Sequence, residues 1–165
     1  MKTPTKKLLT ITTIIASVIS FSAFAPALQA DEKDKPDHSH EKKIAGPNGG
    51  LLITSVTPHL EFFVTKERKV QITAVDDHNK VVPIADQSVK VTGGSRSKPT
   101  RMEFEKKGGV LLSNNTFPEG KKLPVVLQIK VTPDSKTITK KFYLDQGKCP
   151  ECELEEYACI CEHTH

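Results

Sequence analysis

Apolar and polar residues alternate through the middle of the chain, as they do in strands that bury one face. This two-residue period occurs at residues 60–64, 70–75, 89–91, 102–105, 110–112, 125–131 and 138–144. Turn-forming runs separate these segments, for example DDHN at 76–79 and TPDS at 132–135. The pattern predicts about seven or eight strands. We therefore expect an all-β fold, an antiparallel β-sandwich of immunoglobulin-like size that covers residues 46–144.

The first 30 residues have the pattern of a signal peptide. Lys2, Lys6 and Lys7 precede an apolar stretch at residues 8–25, and a small-residue cleavage site follows at residues 28–30. We expect cleavage there, export to the periplasm or the medium, and no stable membrane insertion afterwards. An uncleaved anchor is the alternative, because the stretch approaches the length of a membrane span.

Composition and charge limit the class of protein. A chain of 165 residues fits one domain with tails, which excludes a large multidomain enzyme. The signal segment carries three lysines and no acid, so its removal lowers the net charge from +4 to +1, and nucleic-acid binding is not indicated. Residues 31–45 form a charged linker that we expect to be disordered. Residues 46–144 carry a net +7, whereas residues 145–165 carry a net −5.

The acidic tail, residues 145–165, contains all four cysteines in the spacing C-x2-C-x6-C-x-C-x-H-x-H. A C-x2-C turn directs two thiolates at one ion, and a second close pair completes a tetrahedron. Thiolates suit zinc, and soft sulfur also suits copper(I). We predict that the tail binds one of these ions through the cysteines, with the two histidines as alternative or additional ligands. The predicted ligands are Cys149, Cys152, Cys159, Cys161, His163 and His165.

Other interpretations of the tail remain open at this stage. An exported protein favours disulfides, and four cysteines allow three pairings. Cys-Pro-x-Cys also occurs in thiol–disulfide exchange proteins, and the cysteines could have neither role. His38 and His40 are either a weak divalent-metal site or part of a solvated linker.

No catalytic triad or phosphate-binding glycine loop is present, so we expect a protein that is not an enzyme. Because the tail has few apolar residues besides its cysteines, we also expect the sandwich to fold without it.

Short motifs in the predicted sandwich suggest a family. The run GPNGG at 46–50 is followed by PHLEFFV at 58–64, KVVP at 80–83 and TGG at 92–94. Together they resemble small exported bacterial β-sandwich domains that accompany, or are fused into, periplasmic adaptor proteins of heavy-metal efflux systems. Related domains often have a histidine in place of Asn48, so the resemblance does not extend to a metal role for this loop. It implies an accessory protein outside the cytoplasm, with a metal ion and an efflux-system component as partners.

Overall fold

The computed structural model describes residues 44–161, which form two antiparallel sheets. The first sheet contains β1 (Leu51–Ile53), β2 (His59–Val64), β3 (Lys69–Val75), β4 (Val81–Val82), β7 (Phe104–Lys107) and β8 (Val110–Thr116). The second contains β5 (Ser88–Ser95), β6 (Lys98–Met102), β9 (Lys122–Lys130) and β10 (Ile138–Asp145). The orders are β1-β2-β3-β8-β7, with β4 also paired to β3, and β10-β9-β5-β6. The predicted all-β, antiparallel class is confirmed.

The hydrophobic core consists of residues at alternate positions of the two sheets. These side chains are buried and contact one another across the space between the sheets, as in a β-sandwich. On β2 they are Leu60, Phe62 and Val64, and on β9 they are Val125, Leu127 and Ile129. The two-residue period of the sequence therefore corresponds to one face of each of these strands.

The two predicted turns are confirmed by their hydrogen bonds. The Asp76 carboxylate accepts the N–H of His78 at 2.9 Å and the N–H of Lys80 at 2.8 Å, while Asn79 adopts φ 60°. In the second turn, the Ser135 hydroxyl oxygen accepts the N–H of Val131 at 3.0 Å. Short polar side chains thus satisfy backbone donors where the chain reverses between strands.

The single strand predicted at residues 102–105 is wrong. Met102 ends β6 and pairs with Val91 in the second sheet, whereas Phe104 begins β7 and pairs with Ser113 in the first. The chain changes sheets at Glu103, whose N–H donates to the Asn115 side chain at 3.2 Å. Met102 and Phe104 both pack against the same core from opposite sheets, so the alternation continues through the crossover.

The GPNGG run at residues 46–50 closes over a buried carboxylate on β2. The side chain of Glu61 has no exposed surface. Its oxygens accept the backbone N–H groups of Asn48 and Gly50, each at 2.8 Å, and the Asn48 side-chain amide at 2.6 Å. Because every one of these donors belongs to the loop, Glu61 fixes the path of the chain into β1.

Several predictions concern residues outside the described range. They are the signal peptide at 1–30, most of the linker at 31–45, and the histidines His38, His40, His163 and His165. Among residues 44–161, there is no helix that is both long enough and apolar enough to span a membrane.

Candidate metal centre

After β10 the chain forms a compact segment, residues 147–161, which we call the cysteine knuckle. Its first turn is closed by two backbone hydrogen bonds: the N–H of Cys149 donates to Leu154 O at 2.8 Å, and the N–H of Glu153 donates to Cys149 O at 3.0 Å. Glu153 has the left-handed value φ 60°. The chain thereby curls around Cys149 and brings Cys152 to the same side, as a C-x2-C metal turn requires.

The four sulfur atoms form a close cluster. All of them lie within 4.8 Å of one another, with Cys159 Sγ at 3.5 Å from Cys149 Sγ and 3.7 Å from Cys152 Sγ. Sulfurs placed tetrahedrally at about 2.3 Å from an ion are about 3.8 Å apart, whereas disulfide-bonded sulfurs are about 2.05 Å apart. The members are Cys149, Cys152, Cys159 and Cys161, and no disulfide joins any two of them in the structure. They could hold a metal ion.

Hydrogen bonds and burial act in opposite directions on these thiols. The backbone N–H groups of Leu154 and Ile160 hydrogen-bond to Cys152 Sγ and lower the pKa of that thiol. Burial, together with the sulfurs of Cys149 and Cys152, raises the pKa of Cys159 and Cys161. Four thiolates this close repel one another, so full ionisation needs a cation among them to offset the charge.

The first cysteine of the Cys-Pro-x-Cys run is inaccessible. Cys149 is 1% exposed, whereas the other three cysteines are half-buried. In a thiol–disulfide exchange protein the attacking thiolate must reach a disulfide of the partner. The burial of Cys149 is therefore more typical of a metal ligand at the base of a closed site than of a nucleophile.

The knuckle is anchored to the sandwich by Tyr157. This residue lies in the 3-10 helix Glu156–Ala158, between the two cysteine pairs, and is 8% exposed. Its hydroxyl accepts the N–H of Val64 at 3.3 Å, and its ring meets the ring of Phe62 edge-on at 6.1 Å. The expectation that the tail adds little to the core is therefore corrected, because Tyr157 and Ala158 both belong to it. The signal in the sequence was one aromatic residue in an otherwise acidic segment.

A half-buried carboxylate lies in the same segment. Glu155 Oε2 is enclosed and has no hydrogen-bond partner in the structure. Burial raises the pKa of Glu155, and the positive charge of Lys148 opposes that rise. An unpaired buried oxygen costs stability, so Glu155 weakens the knuckle when ionised.

The cysteine cluster is the feature of this protein from which a function can be inferred. Comparisons with profiles of known protein families, with curated proteins and with solved structures find no match. Within residues 44–161, the cysteines are the one group of three or more His, Cys or carboxylate side chains that lie close enough to share an ion. At the start of β2, His59 Nε2 lies 3.4 Å from Asp77 Oδ1, but this contact involves only two residues.

Proposed function

We propose that the cysteine knuckle binds one zinc ion and that the protein is a metal-binding protein without enzymatic activity. The observation that carries this proposal is the convergence of the four sulfurs within 4.8 Å, with two of their separations, 3.5 and 3.7 Å, close to the edge length of a tetrahedron around zinc. Four protein ligands leave no open coordination position, which is typical of structural rather than catalytic zinc. In this role the ion holds the knuckle closed while Tyr157 packs into the core.

Copper(I) is the alternative ion, because soft thiolates bind it well. Zinc is favoured by a set of four ligands that closes into a tetrahedron, the geometry zinc adopts in structural sites. The alternative to this four-sulfur site is one in which His163 or His165, which follow the last cysteine closely, replaces a cysteine as a ligand.

We also propose that the protein is exported and serves as an accessory in zinc or copper homeostasis or efflux. The signal-like first 30 residues support export, and the resemblance of residues 46–144 to efflux-associated domains supports the accessory role. Sequencing the N-terminus of the exported protein tests the first part. We expect a start at Asp31, and an intact Met1 would contradict cleavage.

Metal and thiol analysis of protein that is expressed with its signal segment and purified after export tests the site. We expect one zinc per chain and four titratable thiols after denaturation. Cys149→Ser and Cys159→Ser should each lose tight zinc binding, because a tetrahedral site depends on every ligand. The control is His78→Ala, which removes an exposed histidine from the turn before β4 and should leave the zinc content unchanged.

Two other outcomes would replace the proposal. Absence of metal and of titratable thiols, with stability that falls on reduction, would indicate a disulfide-stapled tail on a partner-binding sandwich. Exchange with a model disulfide that is lost in Cys149→Ser would instead indicate a thiol–disulfide exchange protein.

A further inference from the structure

The outer face of the second sheet contains an open groove of about 420 Å³. It crosses the sheet from β10, over β9, to the hairpin that joins β5 and β6. Residues from each of these elements line it, including Lys141, Tyr143, Pro124, Val126, Arg96 and Pro99. Between these outward positions lie Val125 and Phe142, which pack into the core, so the base of the groove is held by the sandwich itself.

An aromatic side chain stands at the β10 end of the groove. Tyr143 is 56% exposed, and the groove residues beside it on β9 and β5 lie in paired strands, which give the groove a rigid base. The ammonium group of Lys122 lies 5.9 Å from the centre of the Tyr143 ring. Together with Pro99 and Pro124, the ring forms an apolar surface. Because proline side chains are rigid, little conformational entropy is lost there when a ligand binds. Apolar surfaces of this kind bind the proline and aromatic residues of peptides.

Positive charge is found at both ends of this apolar surface. Lys141 is on β10 and Arg96 is in the hairpin beyond β5, and no carboxylate occurs among the described residues that line the groove. The nearby carboxylate of Asp145, whose strand partner is Lys122, does not line the groove and accepts the N–H of Gly147 at 3.0 Å. The groove is therefore complementary in charge to a ligand that is acidic at both ends and apolar in the middle.

The length of the groove fits a short extended segment. Neighbouring strands are about 4.8 Å apart, so the path from β10 to β6 covers about 14 Å. An extended peptide advances about 3.3 Å per residue, which places about four residues along that path. A long polyanion such as a nucleic acid would need a continuous basic track, whereas the middle of this groove is apolar.

We propose that this groove binds an extended acidic segment of a partner protein, with a proline or aromatic residue between two carboxylates about four residues apart. Lys141 and Arg96 pair with the carboxylates, and the apolar residue packs against Tyr143. The site is separate from the four thiols, and the proposal does not depend on the identity of the metal.

Selection of peptides from a random phage-displayed library on the full, zinc-loaded protein tests this proposal. We expect enriched peptides with paired acidic residues around a proline or aromatic residue. The chain has two tyrosines and no tryptophan, and Tyr157 is buried, so binding of a synthetic enriched peptide should change the fluorescence of Tyr143. The double variant Arg96→Ala/Lys141→Ala should weaken the affinity about tenfold.

A charge-matched control separates the groove from the general basicity of the sandwich. Lys106→Ala/Lys107→Ala removes the same charge from exposed positions of β7 in the first sheet and should leave the affinity unchanged. Enrichment of no peptide, enrichment of peptides without acidic residues, or equal losses in the two double variants would each overturn the proposal. So would tighter binding of a single-stranded oligonucleotide than of any peptide, because that would assign the surface to nucleic acid.

Discussion

Replacement of Tyr157 by alanine should lower the free energy of unfolding of the zinc-loaded protein by about 4–7 kcal/mol. Removing a buried aromatic ring from a core costs about 3–5 kcal/mol. The edge-on contact with Phe62 is part of that loss. The hydroxyl adds a further cost, because its removal leaves a buried backbone donor without an acceptor.

The contribution of the hydroxyl follows from the register of the first sheet. β1 pairs with residues 60–62 of β2 and stops there, so the N–H of Val64 lies beyond the end of β1. The Tyr157 hydroxyl accepts this N–H in place of a strand partner, and Val64 is 4% exposed. Tyr157→Phe keeps the ring and removes only this acceptor, so we expect a loss of about 1–2 kcal/mol.

Urea unfolding of the zinc-loaded protein measures both values, and Tyr143→Phe is the matched control. Tyr143 is 56% exposed, so the same chemical change should alter the free energy of unfolding by less than about 0.5 kcal/mol. If Tyr157→Ala costs less than about 1 kcal/mol, the side chain does not belong to the core. In that case Tyr157 would not anchor the knuckle to the sandwich.

Three other changes test the fold and the knuckle. Glu61→Ala leaves the loop donors without their acceptor and should cost about 3 kcal/mol in urea unfolding, whereas the exposed Glu105→Ala should cost under about 0.5 kcal/mol. Glu155→Gln should stabilise the protein at pH 7 by less than about 1 kcal/mol, because burial raises the pKa of Glu155 and disfavours its ionised form, while solvent screens the half-exposed side chain. That gain should decrease as the pH falls through the raised pKa of Glu155, and a gain that does not decrease would contradict the cause. Truncation after Leu144 should lower the thermal midpoint, because it removes Tyr157 from the core, and an unchanged midpoint would show that the sandwich is independent of its tail.

The alternation of residues predicted the long strands well, because their buried faces dictate the pattern. Leu60, Phe62 and Val64 recur with the period of two that a strand requires, and all three are buried. Two short strands, β1 and β4, have too few residues for a period to be visible. The crossover at Glu103 was missed for another reason: residues on both sides of it face one core, so the sequence pattern does not change where the sheet does.

The cysteine cluster was predictable from spacing, whereas its attachment to the sandwich was not. A C-x2-C turn followed by a second close pair predicts that the sulfurs converge, and the structure brings them within 4.8 Å. The contact between Tyr157 and Val64 joins residues 93 positions apart, and no local pattern encodes it. The N–H groups of Leu154 and Ile160 that bond Cys152 are also invisible in the sequence, since every residue other than proline has such a donor.

X-ray absorption at the zinc edge, on protein purified from its native compartment, tests the central claim most directly. The account predicts stoichiometric zinc with a first shell of four sulfurs at about 2.3 Å and no nitrogen or oxygen ligand. Protein without bound metal, or zinc surrounded by nitrogen and oxygen atoms alone, would contradict it.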